Sequence, residues 1–229
     1  MKKDLAVLFD MDGVICDTNS FHLKAWEKFA EKHQLNLEDK DLGYYIYGRT
    51  NRDALQLFIK DKAFANGNTF SADQLTDLSE EKEALFRDIY RDHVELTPGL
   101  SDFLEELKKA SVPMALASNA PISNIDFILD ATGTRSYFSA VVDATQVTKG
   151  KPDPQIYLRA AEILKIAPDK CVVMEDSTVG VEAGQKAGMK VVGITTTHSR
   201  EELDHTDLVI DNFDELTIDQ LETLLQSNL

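Results

Sequence analysis

Two aspartates follow the first apolar run of the chain. Leu5 to Phe9 is apolar, Asp10 comes next, Asp12 lies two residues further on, and Gly13 allows a sharp turn. The run predicts a short buried strand, and open α/β sheets bind ligands at the carboxyl ends of such strands. Carboxylates this close repel each other, so a hard cation with oxygen ligands is a natural companion. Taken alone, the stretch also suits a strand that ends in an ordinary turn.

Further polar residues follow other predicted strands. Ser118 and Asn119 end the strand predicted from residue 113, Lys151 stands just before a predicted helix, and Glu175 and Asp176 end the strand predicted from residue 171. Because the carboxyl ends of parallel strands share one edge of a sheet, these side chains are expected to converge with the first two aspartates. Taken singly, Ser118 also suits a strand-end cap and Lys151 a solvated lysine. Glu175 and Asp176 also suit an acid pair at a helix N-terminus.

This set would suit phosphoryl transfer. The Asp10 carboxylate can attack phosphorus and form an aspartyl-phosphate. Asp12 can protonate the leaving oxygen and then deprotonate the water that hydrolyses the intermediate. The Ser118 hydroxyl and the Asn119 backbone N–H can donate to phosphate oxygens. The candidate catalytic residues are Asp10, Asp12, Ser118 and Lys151, and the candidate phosphate contacts are Ser118, Asn119 and Lys151.

Charge compensation would come from a metal ion and a lysine. Asp176, with Asp10 and Glu175, can hold a magnesium ion that neutralises phosphate charge. Lys151 supplies a fixed positive charge against both the phosphate and the acids, although Lys149 could be confused with it. Without these cations so acidic a site could not bind a phosphate.

The element pattern predicts two regions. Residues 18–94 show helical patterns, a tyrosine-rich break over residues 43–48 and no convincing strand. Strand and helix patterns alternate after residue 98, which predicts an α/β fold: a Rossmann-like parallel sheet with helices on both faces. The first strand belongs to that sheet. The predicted domains are thus a catalytic core, residues 1–17 and 95–229, and an inserted α-helical cap, residues 18–94.

Composition excludes several classes of function. The 229 residues carry a net charge of -16, which argues against nucleic acid and anionic membranes as partners. Cys16 and Cys171 lack metal-site or redox-motif spacing. The short first apolar run is cut by acids, unlike a signal peptide, and no stretch approaches the length of a membrane span. We expect a soluble, cytoplasmic monomer.

The four motifs resemble those of the haloacid dehalogenase-like hydrolase superfamily, in order and over the whole chain. They are Phe9-Asp10-Met11-Asp12-Gly13-Val14, Ala117-Ser118-Asn119, Gly150-Lys151-Pro152 and Glu175-Asp176-Ser177. The chain is most similar to the subgroup of phosphatases and sugar-phosphate mutases around β-phosphoglucomutase. The resemblance implies a helical cap after the first strand, and the backbone carbonyl of Asp12 as a further magnesium ligand. An acid two residues after the nucleophile fits phosphoryl transfer and not dehalogenation.

Two cap residues are candidate substrate contacts. His22 lies one turn before Trp26 on the first predicted cap helix, and Arg49 follows Gly48 on a predicted loop. A histidine of the cap core and a surface arginine in a salt bridge remain the alternatives. Closure of a cap would exclude water and complete the site.

The expected function is a magnesium-dependent phosphatase of a small phosphorylated metabolite, such as a sugar phosphate. The first alternative is a hexose-phosphate mutase that uses the same aspartyl-phosphate. The second is a phospho-accepting signalling domain, although such a receiver has neither a cap nor the acid/base Asp12. β-Phosphoglucomutases carry three cations where this chain has Tyr47, Asn51 and Pro121, which weakens the mutase interpretation. Arg49 and Arg52 are close enough in sequence to substitute.

Overall fold

The chain forms two compact units. The computed structural model describes residues 4–37, 41–46, 50–64 and 69–226. The larger unit comprises Met1–Thr18 and Val94–Leu229, and the smaller unit comprises Asn19–His93. The smaller unit is therefore an insertion between the first strand and the remainder of the larger one.

A six-stranded parallel sheet organises the larger unit. Its strands are β1 (Ala6–Phe9), β2 (Met114–Ala117), β3 (Ala140–Val142), β4 (Cys171–Glu175), β5 (Lys190–Ile194) and β6 (Leu208–Ile210). They are arranged in the order β3-β2-β1-β4-β5-β6, and all neighbours are parallel. The order reverses between β1 and β4, and ligands of such sheets bind outside this point. The predicted α/β fold class is confirmed.

Helices cover the sheet and build the smaller unit. In chain order they are α1 (Asn19–Lys32), α2 (Leu42–Ile46), α3 (Asn51–Lys60), α4 (Ala72–Tyr90), α5 (Leu100–Lys109), α6 (Ile122–Thr132), α7 (Gln155–Leu164), α8 (Thr178–Lys186) and α9 (Ile218–Gln226). The first four belong to the smaller unit, and the other five belong to the larger one.

Residues of β1 alternate between the two faces of the sheet. Leu8 belongs to an apolar cluster that includes Tyr157 of α7. The neighbouring Phe9 points to the other face, where its ring lies 6.5 Å from that of Phe103 on α5 and 6.2 Å from that of Phe213. This alternation has the period of two that every strand imposes. With both faces covered, β1 is apolar throughout and fully buried.

The smaller unit has its own aromatic core. Trp26, Phe29 and Phe58 are buried there, and α4 begins with a capping box between Ser71 and Gln74. Such a box satisfies two backbone donors at the start of the helix. The separate core explains why this insertion forms a compact unit.

The predicted break over residues 43–48 was wrong for residues 43–46, which lie in α2. Tyr45 is buried and stacks on Phe58 with 4.5 Å between ring centroids. Tertiary packing of this ring stabilises a helix too short to show a periodic pattern. Residues 47 and 48 lie outside the described part of the chain.

Two further expectations concern thiols and membranes. Cys16 and Cys171 are both buried thiols outside any disulfide. Burial raises the pKa of the Cys171 thiol to about 12, so it stays protonated. Among the described residues, every helix is too short or too polar to cross a bilayer.

Candidate active site

The turn after β1 places both aspartates of the first motif. The backbone N–H of Asp10 donates to the carbonyl of Met174 on β4 over 3.1 Å, which aligns the end of β1 with that strand. Gly13 then adopts a φ of +76°, and its N–H donates to the Cys16 carbonyl over 2.7 Å. Glycine meets this left-handed conformation at little cost. The chain therefore turns sharply at the residue that follows Asp12.

Thr18 orients the second aspartate. Its hydroxyl donates to Oδ1 of Asp12 over 2.6 Å, and Thr18 itself is fully buried. A hydrogen bond to a carboxylate is among the stronger kinds of hydrogen bond. Our sequence analysis did not identify Thr18, because a threonine before a helix is ordinarily a cap. The structure thus adds a positioning residue for the Asp12 carboxylate.

Glu175, at the end of β4, is fully buried and receives five hydrogen bonds. Its Oε2 accepts from the backbone N–H groups of Asp176 (3.1 Å) and Ser177 (3.2 Å) and from the Ser177 hydroxyl (2.9 Å). Its Oε1 accepts from Lys151 Nζ and from the Tyr157 hydroxyl, each over 2.7 Å. A buried carboxylate needs such donors to replace its lost hydration. These contacts hold Glu175 in one orientation.

Lys151 links the ends of β1 and β4. Its Nζ lies 2.5 Å from Oδ1 of Asp10 and 2.7 Å from Oε1 of Glu175. Burial lowers the pKa of Lys151, but the charges of Asp10 and Glu175 outweigh burial and raise the pKa above its usual range. The backbone N–H of Lys151 also donates a hydrogen bond to Oδ1 of Asn119 over 3.2 Å. The structure therefore distinguishes Lys151 from Lys149, which is exposed.

Three carboxylates form a group that could hold a metal ion. Oxygen atoms of Asp10, Glu175 and Asp176 lie within 4.8 Å of one another, and all three residues are buried. Burial, opposed by the charge of Lys151 and assisted by that of nearby Glu175, raises the pKa of Asp10 to about 7. Burial and the charge of Glu175 likewise raise the pKa of Asp176 well above its usual range. One lysine does not balance three acids, and an all-oxygen donor set fits a hard divalent cation.

The segment after β5 supports this group from one side. The Thr197 hydroxyl donates to Oδ2 of Asp176, and His198 Nδ1 donates to the Asp176 carbonyl over 3.0 Å. Thr196 donates to the carbonyl of Gly13 over 2.5 Å. A threonine run after a strand carries no distinctive pattern, so these residues were not identified from the sequence. They connect the turn after β1 to the loop after β4.

Ser118 and Asn119 follow β2, the other neighbour of β1. The Ser118 N–H donates to the Val142 carbonyl on β3 over 3.0 Å, and its side chain is buried. Its hydroxyl oxygen accepts from the N–H of Ala120 over 3.1 Å, so the hydroxyl proton can be donated elsewhere. The sequence-predicted residues of the larger unit therefore lie at the carboxyl ends of β1, β2 and β4 or, for Lys151, bridge two of them.

His22 belongs to a polar cluster inside the smaller unit. Its Nδ1 lies 2.7 Å from Lys82 Nζ and 3.9 Å from Oε2 of Glu83, and its ring stacks on Phe86 at 3.8 Å. Lys82 and Glu83 are almost fully buried. The sequence analysis missed both, because a charged helix predicts a solvated face. Arg49, the other predicted substrate contact, lies outside the described residues.

A buried Asp–Lys pair beside two further acids, at the reversal point of a parallel sheet, fits an enzyme that uses a carboxylate as its nucleophile. Residues 5–188 match the haloacid dehalogenase-like hydrolases, and the chain belongs to this family. Membership confirms the predicted resemblance, and the phosphatases and phosphomutases among the relatives confirm the predicted class of enzyme, a phosphatase or phosphomutase of this type.

Individual relatives of the chain include both phosphomutases and phosphatases. The chain is 31% identical over 225 residues to a β-phosphoglucomutase of Bacillus subtilis, covering 94% of this chain and 93% of that protein. It is 33% identical over 185 residues to a phosphorylated carbohydrates phosphatase of Thermotoga maritima, covering 81% and 82%. The crystal structure of a β-phosphoglucomutase from Clostridium difficile superposes with a TM-score of 0.82 at 26% identity, covering 100% of this chain and 99% of that one.

Proposed function

We propose that this protein is a magnesium-dependent phosphatase that hydrolyses a small phosphomonoester, a sugar phosphate, through an aspartyl-phosphate. The observation that carries the proposal is the position of Lys151, whose ammonium group lies between Asp10 and Glu175. It holds one oxygen of the Asp10 carboxylate and leaves the other for attack. The names of the Bacillus subtilis and Thermotoga maritima relatives support a phosphorylated carbohydrate as the substrate.

The proposed reaction has two displacements. In the first, an Asp10 oxygen attacks phosphorus, the bond from phosphorus to the leaving oxygen breaks, and Asp12 gives its proton to that oxygen. In the second, the Asp12 carboxylate takes a proton from water, and the resulting hydroxide attacks the phosphorus of the aspartyl-phosphate. Inorganic phosphate leaves and the Asp10 carboxylate is regenerated. The Thr18 hydrogen bond keeps Asp12 in one orientation for both proton transfers.

The remaining residues counter the repulsion between an acidic protein and its substrate. We propose that Asp10, Glu175, Asp176 and the backbone carbonyl of Asp12 hold Mg²⁺. When bound, Mg²⁺ neutralises phosphate charge. Lys151 adds a fixed positive charge, and the Ser118 hydroxyl and Asn119 N–H donate to phosphate oxygens.

The mutase alternative needs a second phosphate grip on a bisphosphate intermediate. Asn51 stands at one of the three positions where β-phosphoglucomutases carry a cation, and its Nδ2 donates to the Glu83 carboxylate over 2.5 Å. Pro121, at another, precedes the first turn of α6 and offers no charge. Tyr47, the third, lies outside the described residues. One lost charge-assisted contact is worth about 1.5–3 kcal/mol, so these departures favour hydrolysis.

Several finer expectations remain proposals. We propose His22 and Arg49 as contacts that select the substrate. The predictions of a monomer and of a cytoplasmic location stay predictions. The position of Asp12, which Thr18 holds by a hydrogen bond, argues against a phospho-accepting signalling domain. An acid/base at this position would promote hydrolysis of the aspartyl-phosphate that such a domain must keep.

A phosphate-release screen tests the proposal. The purified protein is incubated with Mg²⁺ and a panel of phosphorylated metabolites, and we expect release of inorganic phosphate from one or more monophosphates. In parallel, β-glucose 1-phosphate is supplied with a catalytic amount of glucose 1,6-bisphosphate. Rapid formation of glucose 6-phosphate with little free phosphate would overturn the phosphatase in favour of the mutase. No turnover in either assay would contradict both.

A further inference from the structure

Tyr157 of α7 extends from the apolar core to the acidic site. Its ring belongs to the buried cluster that includes Leu8 and Val173, and the residue is fully buried. Its hydroxyl donates to Oε1 of Glu175 over 2.7 Å. Lys151 Nζ lies 4.9 Å from the centroid of the same ring. The Tyr157 side chain therefore contacts both the carboxylate of Glu175 and the ammonium group of Lys151.

Packing alone does not explain a tyrosine at this position. A phenylalanine would fill the same space without bringing a polar group into the core, and burying a hydroxyl is unfavourable unless it is hydrogen-bonded. A carboxylate oxygen accepts hydrogen bonds, so the Tyr157 hydroxyl is the donor to Glu175. Its placement indicates a role in the acidic site.

The contacts of Glu175 indicate what that role is. The two hydrogen bonds to Oε1 come from Tyr157 and Lys151, whereas Oε2 is held by the loop that starts α8. Lys151 must also serve Asp10, 2.5 Å away. If Tyr157 did not hold Oε1, this oxygen would depend on Lys151 alone and could shift toward it. The Tyr157 ring also limits where the ammonium group can lie, because a cation over an aromatic face is attracted to it.

We propose that Tyr157 is a positioning residue, whose hydroxyl fixes the Glu175 carboxylate and, together with the aromatic ring, fixes Lys151 against Asp10. This inference rests on the proposed function, since it concerns the metal and the nucleophile of that reaction. Partners that orient metal-site carboxylates commonly change metal affinity or activity about 10- to 100-fold when they are removed.

The test compares Tyr157→Phe with a matched control, Tyr137→Phe. Tyr137 also belongs to the larger unit and also donates to a carboxylate, that of Glu105, but it follows α6 and precedes β3, away from the carboxyl ends of the strands. Each variant loses one hydroxyl and one tyrosine–glutamate hydrogen bond. Three quantities are measured: kcat and KM with a phosphomonoester found in the screen, Mg²⁺ affinity by calorimetry without substrate, and the melting temperature.

For Tyr157→Phe we expect kcat to fall about 10- to 100-fold, KM to stay within about threefold, and Mg²⁺ to bind about tenfold more weakly. Tyr137→Phe should match the parent in kcat and Mg²⁺ affinity. The proposal is overturned if Tyr157→Phe keeps the parental kcat or the parental Mg²⁺ affinity, whatever its melting temperature. A parent protein that neither binds Mg²⁺ nor releases phosphate would instead contradict the proposed function itself.

Discussion

Gly13 and Asp176 are packed so closely that no side chain fits between them. A Cβ atom at Gly13 would lie 1.8 Å from Oδ2 of Asp176, which is far inside any permitted contact. The same carboxylate oxygen accepts the Thr197 hydroxyl. The turn after β1 and the acid after β4 therefore share one compact arrangement, and a change in either must displace the other.

Gly13→Ala should accordingly abolish metal binding and catalysis. The methyl group would displace the Asp176 carboxylate, and alanine would also be strained at a φ of +76°. Gly188→Ala is the matched control, because Gly188 has a φ of +73° and a Cβ added there would meet nothing within 4 Å. The control should lose about 1–2 kcal/mol of stability and retain its kcat. Equal activity of the two variants, measured as phosphate release, would contradict this assignment.

Asp10→Asn should abolish turnover and formation of the covalent intermediate. The amide is a poor nucleophile, and it also removes a charge partner of Lys151, 2.5 Å away. The measurement is trapping of the aspartyl-phosphate by mass spectrometry with a substrate that has a good leaving group. An intermediate that still accumulated in Asp10→Asn would place the nucleophile elsewhere.

Asp12→Asn should lower kcat by roughly 10²- to 10⁴-fold, the usual effect of removing a general acid–base group. Phosphorylation of Asp10 should persist with a leaving group that needs no protonation, so the intermediate should become detectable. Single-turnover kinetics with p-nitrophenyl phosphate and an alkyl phosphate compares the two cases. Equal losses in the phosphorylation step for both substrates would argue against proton donation by Asp12.

The affinity for Mg²⁺ should decrease as the pH falls below 7. Burial raises the pKa of Asp10 to about 7 in the metal-free protein, so below that pH a proton occupies a proposed ligand. Competition by a proton on Asp10 predicts about tenfold weaker binding at pH 6 than at pH 8, and a proton on Asp176, whose pKa is also raised, would weaken binding further. Calorimetric titrations at both pH values, in buffers of different ionisation enthalpy, would also count the released protons. A constant affinity would show that Asp10 binds no proton over this range.

His22→Ala should change substrate preference without changing Mg²⁺ affinity. His33→Ala is a suitable control, because His33 directly follows α1, lies 2.8 Å from Glu81 of α4 and contacts Phe29. Losing one polar contact to substrate would change kcat/KM for the preferred substrate about tenfold or more relative to the rest of the panel. If both histidine variants gave the parental ranking, His22 would be a residue of the smaller unit's core.

The sequence predicted those parts of the site that depend on strand ends. Asp10, Ser118, Glu175 and Asp176 each lie at the end of a strand, and parallel strands bring such residues to one edge whatever else the chain does. Lys151 was named as the cation, but Lys149 could be confused with it, because the choice between them depends on loop geometry and not on periodicity.

Residues that act from within another element could not be predicted in this way. Tyr157 has the spacing of an apolar position of α7, and only the structure shows that its hydroxyl reaches Glu175. The Lys82–Glu83 pair is similar, since burial of a charged pair depends on tertiary partners that a helical pattern does not contain.

The pairing of β1 has a consequence for synthesis of the chain. Val7 pairs with Met114 on one side and Val172 on the other, so the strand that precedes Asp10, the proposed nucleophile, gains both neighbours only after most of the chain has been made. At about 5–20 residues per second, an apolar strand leaves the ribosome on the order of ten seconds before its second partner. The inserted unit has a complete aromatic core by then and can fold first. Nascent chains arrested before β4 should therefore contain a folded insertion and an unpaired first strand open to chaperones.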